Sequence, residues 1–119
     1  MIKLSDAEWK IATCLWDKGS MTITELTKLL SVETGWGKNT IIILLKRMEE
    51  KDAVAYVQED RAKRFYTKID RTEAEIEETT TFLDKVYSGN VGLMLSNLIK
   101  SDKLSREDIE ELQRILEDN

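Results

Sequence analysis

A mainly α fold carrying one small β-hairpin wing is predicted by three features of the 119-residue chain. Two capping-box helix starts lie close to the N-terminus, a third helical stripe is followed at once by two β-inclined runs, and a long C-terminal stretch keeps helical periodicity. The expected architecture is a winged helix-turn-helix over residues 1–71 followed by three more helices over residues 72–119.

The first helix is marked by Ser5-Asp6-Ala7-Glu8, where the Ser5 oxygen can accept from the Glu8 amide while the Glu8 carboxylate reaches back. Trp9, Ala12, Thr13 and Trp16 recur at the spacing of one buried face, widened by Ile11 and Leu15, and Lys18-Gly19 supplies a basic last turn and a stop. A helix over about residues 6–18 follows, with both tryptophans in the core. Thr22-Ile23-Thr24-Glu25 repeats the capping box, and Ile23, Leu26, Leu29 and Leu30 make a short second helix ending near Ser31. The turn-like segment from Ser31 to Gly37 leads to a third helix, from about Lys38 to Lys51, striped by Ile41, Leu44, Leu45 and Met48. Ala53 to Val57 and Arg64 to Ile69 are β-inclined, and the polar stretch from Gln58 to Lys63 between them predicts a hairpin with a charged tip.

Three helices and then a hairpin is an order that turns the reading toward nucleic acid. With the third helix's stripe facing inward, a rotation of about 100° per residue leaves Asn39, Ile43, Lys46 and Glu50 on the opposite face, with Ile42 and Arg47 at its sides. That face suits a major groove. The Asn39 amide can pair bidentately with adenine, Ile43 can pack on thymine methyls, and Lys38, Thr40, Lys46 and Arg47 suit phosphate or guanine. Ile42 and Ile43 have a second reading, packing on the second helix or the hairpin, and Ile43 is the better placed for exposure. Arg61, Lys63 and Arg64 crowd the expected tip, where positive charge adds affinity without reading sequence. Glu59 and Asp60 beside them reduce the net pull.

Composition removes several other function classes. The chain has no histidine and one cysteine, Cys14, so an internal disulfide and a structural zinc site are excluded and no metal or other cofactor is expected. The commonest general base near neutral pH is missing too. Glu49 with Glu50, and Glu73, Glu75, Glu77 and Glu78, sit on polar helical stretches and read as solvated faces; Gly35 and Gly37 bracket Trp36 without the Lys-Ser/Thr of a phosphate loop. An enzyme is therefore not expected. No apolar run reaches the roughly 18 residues of a membrane span and the first residues lack a secretory core, so cytoplasmic location without membrane insertion is expected.

The net charge of −5 is unevenly divided. Residues 1–71 hold 13 Lys/Arg against 11 Asp/Glu, whereas residues 72–119 hold 5 against 12. One segment can meet a polyanion while the other is kept off it. The acidic segment carries three apolar stripes: Ile76, Thr80, Leu83, Val86 and Tyr87; Val91, Met94, Leu95, Leu98 and Ile99; and Ile109, Leu112, Ile115 and Leu116, the last helix capped by Ser105 with Asp108 at its third position. So short a segment cannot bury three such faces alone. Pairing with a second copy through Ile76, Leu83, Tyr87, Met94, Leu95, Leu98, Ile109, Leu112 and Leu116 is the expected solution, and two-fold symmetry then sets two reading helices about one DNA turn apart.

Ser5-Asp6-Ala7-Glu8-Trp9, Trp16, the segment from Trp36 to Arg47, Arg64-Phe65-Tyr66, the run from Phe82 to Gly89 and the stretch from Leu104 to Leu112 together resemble the penicillinase and methicillin-resistance repressor family over nearly the whole chain. The resemblance implies a homodimeric transcriptional repressor on a palindromic double-stranded operator. It implies relief when a protease system driven by a membrane-bound antibiotic sensor cuts the dimerisation region, at the bond that corresponds here to Asn97-Leu98. Two departures stand out: Gly37-Lys38-Asn39-Thr40 replaces the family's usual Ser-Pro-Lys-Thr, and Ile42-Ile43 replaces more polar residues, so the operator need not be the family's. The paired Cys-x-Cys motifs of the family's copper-responsive branch are absent after Cys14. A repressor of the same architecture serving another stimulus, and a helical adaptor using this surface for a protein partner, are the alternative readings.

Overall fold

The computed structural model describes residues 2–118, so Met1 and Asn119, the ends of the two predicted regions, lie outside the described residues. In chain order the elements are α1 (Asp6–Lys18), β1 (Met21–Thr22), α2 (Ile23–Thr34), α3 (Lys38–Glu50), β2 (Val54–Glu59), β3 (Ala62–Thr67), α4 (Arg71–Tyr87), α5 (Val91–Lys100) and α6 (Arg106–Asp118). This is a mainly helical chain with a small antiparallel sheet of order β1-β3-β2.

The helix starts form as their sequences dictate. Ser5 N–H donates to Glu8 Oε1 at 2.7 Å while Glu8 N–H donates to Ser5 Oγ at 3.2 Å. The same reciprocal pair joins Thr22 and Glu25 at 2.9 and 3.2 Å, and Ser105 and Asp108 at 3.0 Å in both directions. Gly19 ends α1 at φ 88°, a conformation open to glycine, with its N–H on the Leu15 carbonyl at 2.7 Å.

Packing holds the first part of the chain together. Ile11 and Leu15 of α1, Leu26 of α2, and Ile41, Leu45 and Met48 of α3 are fully buried against one another, and Val54 and Phe65 seat the base of the hairpin on them. Each such side chain contributes roughly 1.5–3 kcal/mol of burial, against about 1 kcal/mol for a cap. The predicted inner stripe of α3 is thus buried in full, Leu44 included.

Several predicted details are corrected. The buried line of α1 is Glu8, Ile11, Ala12 and Leu15, while Trp9 and Trp16 are half-buried at its edge, their rings 5.6 Å apart. Helix α2 runs on past Ser31 to Thr34, where Gly35 takes at little steric cost the left-handed turn (φ 74°) that hands its N–H to the Ser31 carbonyl. Leu29 is 44% exposed, because it lies about 60° of helix rotation beyond Leu26 and misses the core. The hairpin is longer and its tip shorter than predicted: Glu59 pairs with Ala62, leaving only Asp60 and Arg61 in the turn, with Asp60 at φ 53°. Arg64 consequently sits in mid-strand, opposite Val57, and not at the tip. The two-residue strand β1 was not expected; it pairs Met21 with Phe65 and Thr22 with Arg64, making β3 the central strand.

The chain divides into two compact units, the boundary falling within α4 between Glu75 and Ile76. In the second unit no residue of α5 or α6 is buried, nor is any residue of α4.

Candidate nucleic-acid interface

Helix α3 begins at Gly37, which offers no side-chain cap, so its first turn is left open to an outside acceptor. Lys38, Asn39, Lys46 and Arg47 are exposed and Thr40 is half-buried. Ile42 and Ile43 are both at the surface, at 40% and 53% exposure, so neither is taken up by packing, and Ile43 is the more open. One amide, two apolar groups and three cations therefore share the outer surface of a helix whose inner stripe is locked in the core. A rigid helix of this kind can present side chains to base edges with little loss of conformational freedom.

The charges of this surface are uncompensated. Among the described residues, Lys38, Lys46 and Arg47 on α3 and Arg61 and Lys63 on the wing form no ion pair, whereas Lys10, Lys51, Lys68 and Arg71 are each matched to a carboxylate. Lys63 Nζ instead stands 4.5 Å from the centre of the Tyr56 ring, which fixes the side chain on the wing while leaving its charge available. Exposed Glu49 and Glu50 set a negative limit at the C-terminal end of α3.

Arg64 behaves differently from its wing neighbours. Its side chain is 28% exposed and is shared between Glu25 and Glu59. The Glu25 carboxyl is held below its ordinary value by the Thr22 backbone and hydroxyl hydrogen bonds, with Arg64 adding to them against a small opposing effect of burial. The three are close in the chain, but strand pairing leaves Arg61 in the turn and puts Lys63 and Arg64 in β3, opposite Gln58 and Val57. The only sequence signal for the partners of Arg64 was the Thr22/Glu25 capping box.

An open groove is lined by Lys18, Ser20, Met21, Glu25, Lys28 and Arg64 with Leu29, and none of these residues belongs to α3. Cys14 is half-buried, and burial, with Asp17 and Glu33 nearby, pushes its thiol up; among the described residues no three His, Cys, Asp or Glu side chains are grouped to hold a metal ion. No helix among them is long and apolar enough to cross a membrane.

In the second unit Ile76 is 60% and Leu116 74% exposed, while Leu83, Tyr87, Met94, Leu95, Leu98, Ile109 and Leu112 are half-buried. Phe82, Val86, Val91, Leu93, Ile99 and Ile115 add to the open apolar surface. Asn97 is exposed and Leu98 half-buried inside α5, their carbonyls accepting from Ser101 and Lys103 at 3.0 and 2.9 Å.

Comparison with known proteins gives one consistent answer. Residues 4–118 match the model of the penicillinase repressor family. The chain is 32% identical to a penicillinase repressor of Bacillus licheniformis over 117 residues, covering 98% of this chain and 91% of the relative. It is 24% identical to the methicillin resistance regulatory protein MecI of Staphylococcus aureus, covering 96% and 93%. Among solved structures, the DNA binding domain of the repressor BlaI superposes with a TM-score of 0.56 at 29% identity, over 60% of this chain and 88% of that one. The Bacillus licheniformis BlaI monomeric form in complex with the blaP half-operator gives 0.54 at 30%, over 61% and 90%. A mutant MarR from E. coli matches 98% of this chain and 77% of its own with a TM-score of 0.56 at 17% identity, a likeness of fold alone.

Proposed function

This chain belongs to the penicillinase repressor family, and from that premise we propose that it is a homodimeric transcriptional repressor that binds a palindromic operator and controls genes of β-lactam resistance. It is a DNA-binding regulator and not an enzyme. Residues 1–71 carry the reading surface: Asn39 and Ile43 face base edges, Lys38, Thr40, Lys46 and Arg47 face phosphates or guanine, and Arg61 and Lys63 lie over the backbone beside them. The observation that carries this reading is the set of unpaired cations around Asn39 on the outer face of α3, in a fold similar to a repressor solved on a half-operator.

Residues 72–119 hold the dimer. The support is the open apolar surface of α4, α5 and α6, which a second copy can cover, and the acidity that keeps this part off the polyanion. Release follows proteolysis between Asn97 and Leu98 by a regulatory protease answering a membrane-bound sensor, which places the protein's work in the cytoplasm with the DNA it represses. The test is a gel shift on the protein's own promoter across a salt series. Tight, sequence-selective retardation that weakens steeply with salt is expected; no retardation at low salt would leave the surface to a protein partner.

A further inference from the structure

Arg64 reaches three acceptors on three segments of the chain. Nη1 donates to Glu25 Oε1 at 3.1 Å and to the Ser20 carbonyl at 3.4 Å, and Nε donates to Glu59 Oε2 at 3.0 Å. Glu59 is the last residue of β2, one side of the wing tip. Glu25 is no free surface carboxylate, since the same oxygen, Oε1, also accepts the Thr22 N–H that closes the α2 cap. Ser20 is the residue leading into β1. One guanidinium therefore ties the free end of the wing to the start of α2, the helix that packs against α3.

We propose that Arg64 is a positioning residue, which fixes the wing against the helix-turn-helix so that Arg61 and Lys63 meet the DNA backbone in register with α3, and which does not itself contact a phosphate. The proposal deepens the DNA-binding reading and rests on it. Two carboxylates already neutralise this guanidinium, and moving it onto a phosphate would leave Glu25 and Glu59 unpaired and facing a polyanion. The planar fork also matters. Its Nε and Nη1 point to separate acceptors in fixed directions, which the point charge of a lysine cannot reproduce.

The consequence runs opposite to simple electrostatics at Glu59. Removing a negative charge beside the wing tip should tighten DNA binding if charge alone acts there; if Arg64 works through Glu59, the loss of its anchor should weaken binding. The exposed position of Glu59 makes Glu59→Gln safe for folding.

The experiment measures operator affinity across a salt series for the full-length protein, Arg64→Ala, Arg64→Lys, Glu59→Gln and Lys46→Ala, with amide hydrogen exchange of the wing turn. Each of the two Arg64 variants and Glu59→Gln should lose about three- to tenfold in affinity, the scale of one or two partly exposed ion pairs, with faster exchange at Asp60 and Arg61 and an unchanged salt slope. Lys46→Ala should flatten the slope by about one unit. A slope flattened equally by Arg64→Ala and restored by Arg64→Lys would make Arg64 a phosphate contact and overturn the proposal, as would tighter binding by Glu59→Gln. Failure of the unmodified protein to bind DNA at low salt, or a Lys46→Ala variant that binds like it, would instead strike the DNA-binding reading.

Discussion

Glu8 and Lys51 form an ion pair at 2.5 Å in which the carboxylate is 1% exposed and the ammonium 38%. The pair fastens the first turn of α1 to the residue that ends α3, and Lys51 also donates to the Lys3 carbonyl at 2.9 Å. Glu8 Oε1 accepts from Lys51 and Ser5 together, while Oε2 has no partner among the described residues. A buried carboxylate with one empty oxygen depends on the lysine beside it.

Replacing Lys51 by Met should therefore destabilise the winged-helix unit by about 2 kcal/mol at pH 7, more than an exposed ion pair is worth. The pH dependence should also weaken. In the native protein burial alone would raise the Glu8 carboxyl, but the Lys51 and Ser5 hydrogen bonds and the Lys51 charge hold it below the ordinary carboxylate value. Its contribution is present above that value and lost as pH falls through the lower folded value. In Lys51→Met only the Ser5 hydrogen bonds still oppose burial, so the folded value rises and this site loses less of its contribution as pH falls from neutral. Urea unfolding at pH 7 and pH 5 checks both; a variant as stable as the parent at pH 7 would show that the pair is idle.

Local and periodic features were legible in the sequence. The α3 stripe and the capping boxes at Ser5, Thr22 and Ser105 were legible because each is fixed by residues within one or two helical turns. What escaped depends on partners distant in the chain. Glu8 was read as a cap, and its burial requires Lys51, 43 residues away. Arg64 was read as a tip cation, and its partner Glu25 is 39 residues away. Strand β1, two residues long, has no period to detect and exists only because β3 pairs with it. For the reading surface, periodicity gave the outward face of α3, but exposure of Ile42 could be decided only once α2 and the hairpin were in place.

On the reading helix, two substitutions should separate recognition from general affinity. Asn39→Ala should remove about 1–3 kcal/mol of discrimination at one base pair and leave the salt slope intact. Lys46→Ala should weaken operator and random DNA alike. Titrations of both duplexes at two salt concentrations distinguish them; equal losses on both duplexes for Asn39→Ala would remove it from the base-reading set.

Leu116 offers a clean test of the dimer, because its 74% exposure means that it supports little within one chain. Leu116→Asp should leave helix content unchanged yet shift sedimentation toward the monomer, since an unpaired charge at a closed interface costs several kcal/mol. An unaltered dimer would place the interface on other residues of α4 or α5.

The last prediction concerns release from the operator. One winged helix offers few phosphate contacts, so tight binding needs two copies, with the tail supplying a high effective concentration of the second reader. A cut between Asn97 and Leu98 divides α5 near its C-terminal end and detaches α6, whose Ile109, Leu112, Ile115 and Leu116 stripe is the most strongly segregated of the tail. Among the described residues, the winged-helix core and the side chains packed against it reach no further than Ile69, so its packing should survive the cut. Operator affinity should fall by about a hundredfold or more, toward that of a single half-site reader. Linkage adds a second expectation. The Asn97 and Leu98 carbonyls are tied into the end of α5, so a protease needs that turn opened; whatever favours the closed dimer, operator DNA included, should slow the cut. Comparing cleavage rates with and without operator, and operator binding by the chain ending at Asn97, tests both halves. If that shortened chain binds the full palindrome as tightly as the intact protein, proteolysis at this bond is not the switch, and a signal acting on the uncut dimer takes its place.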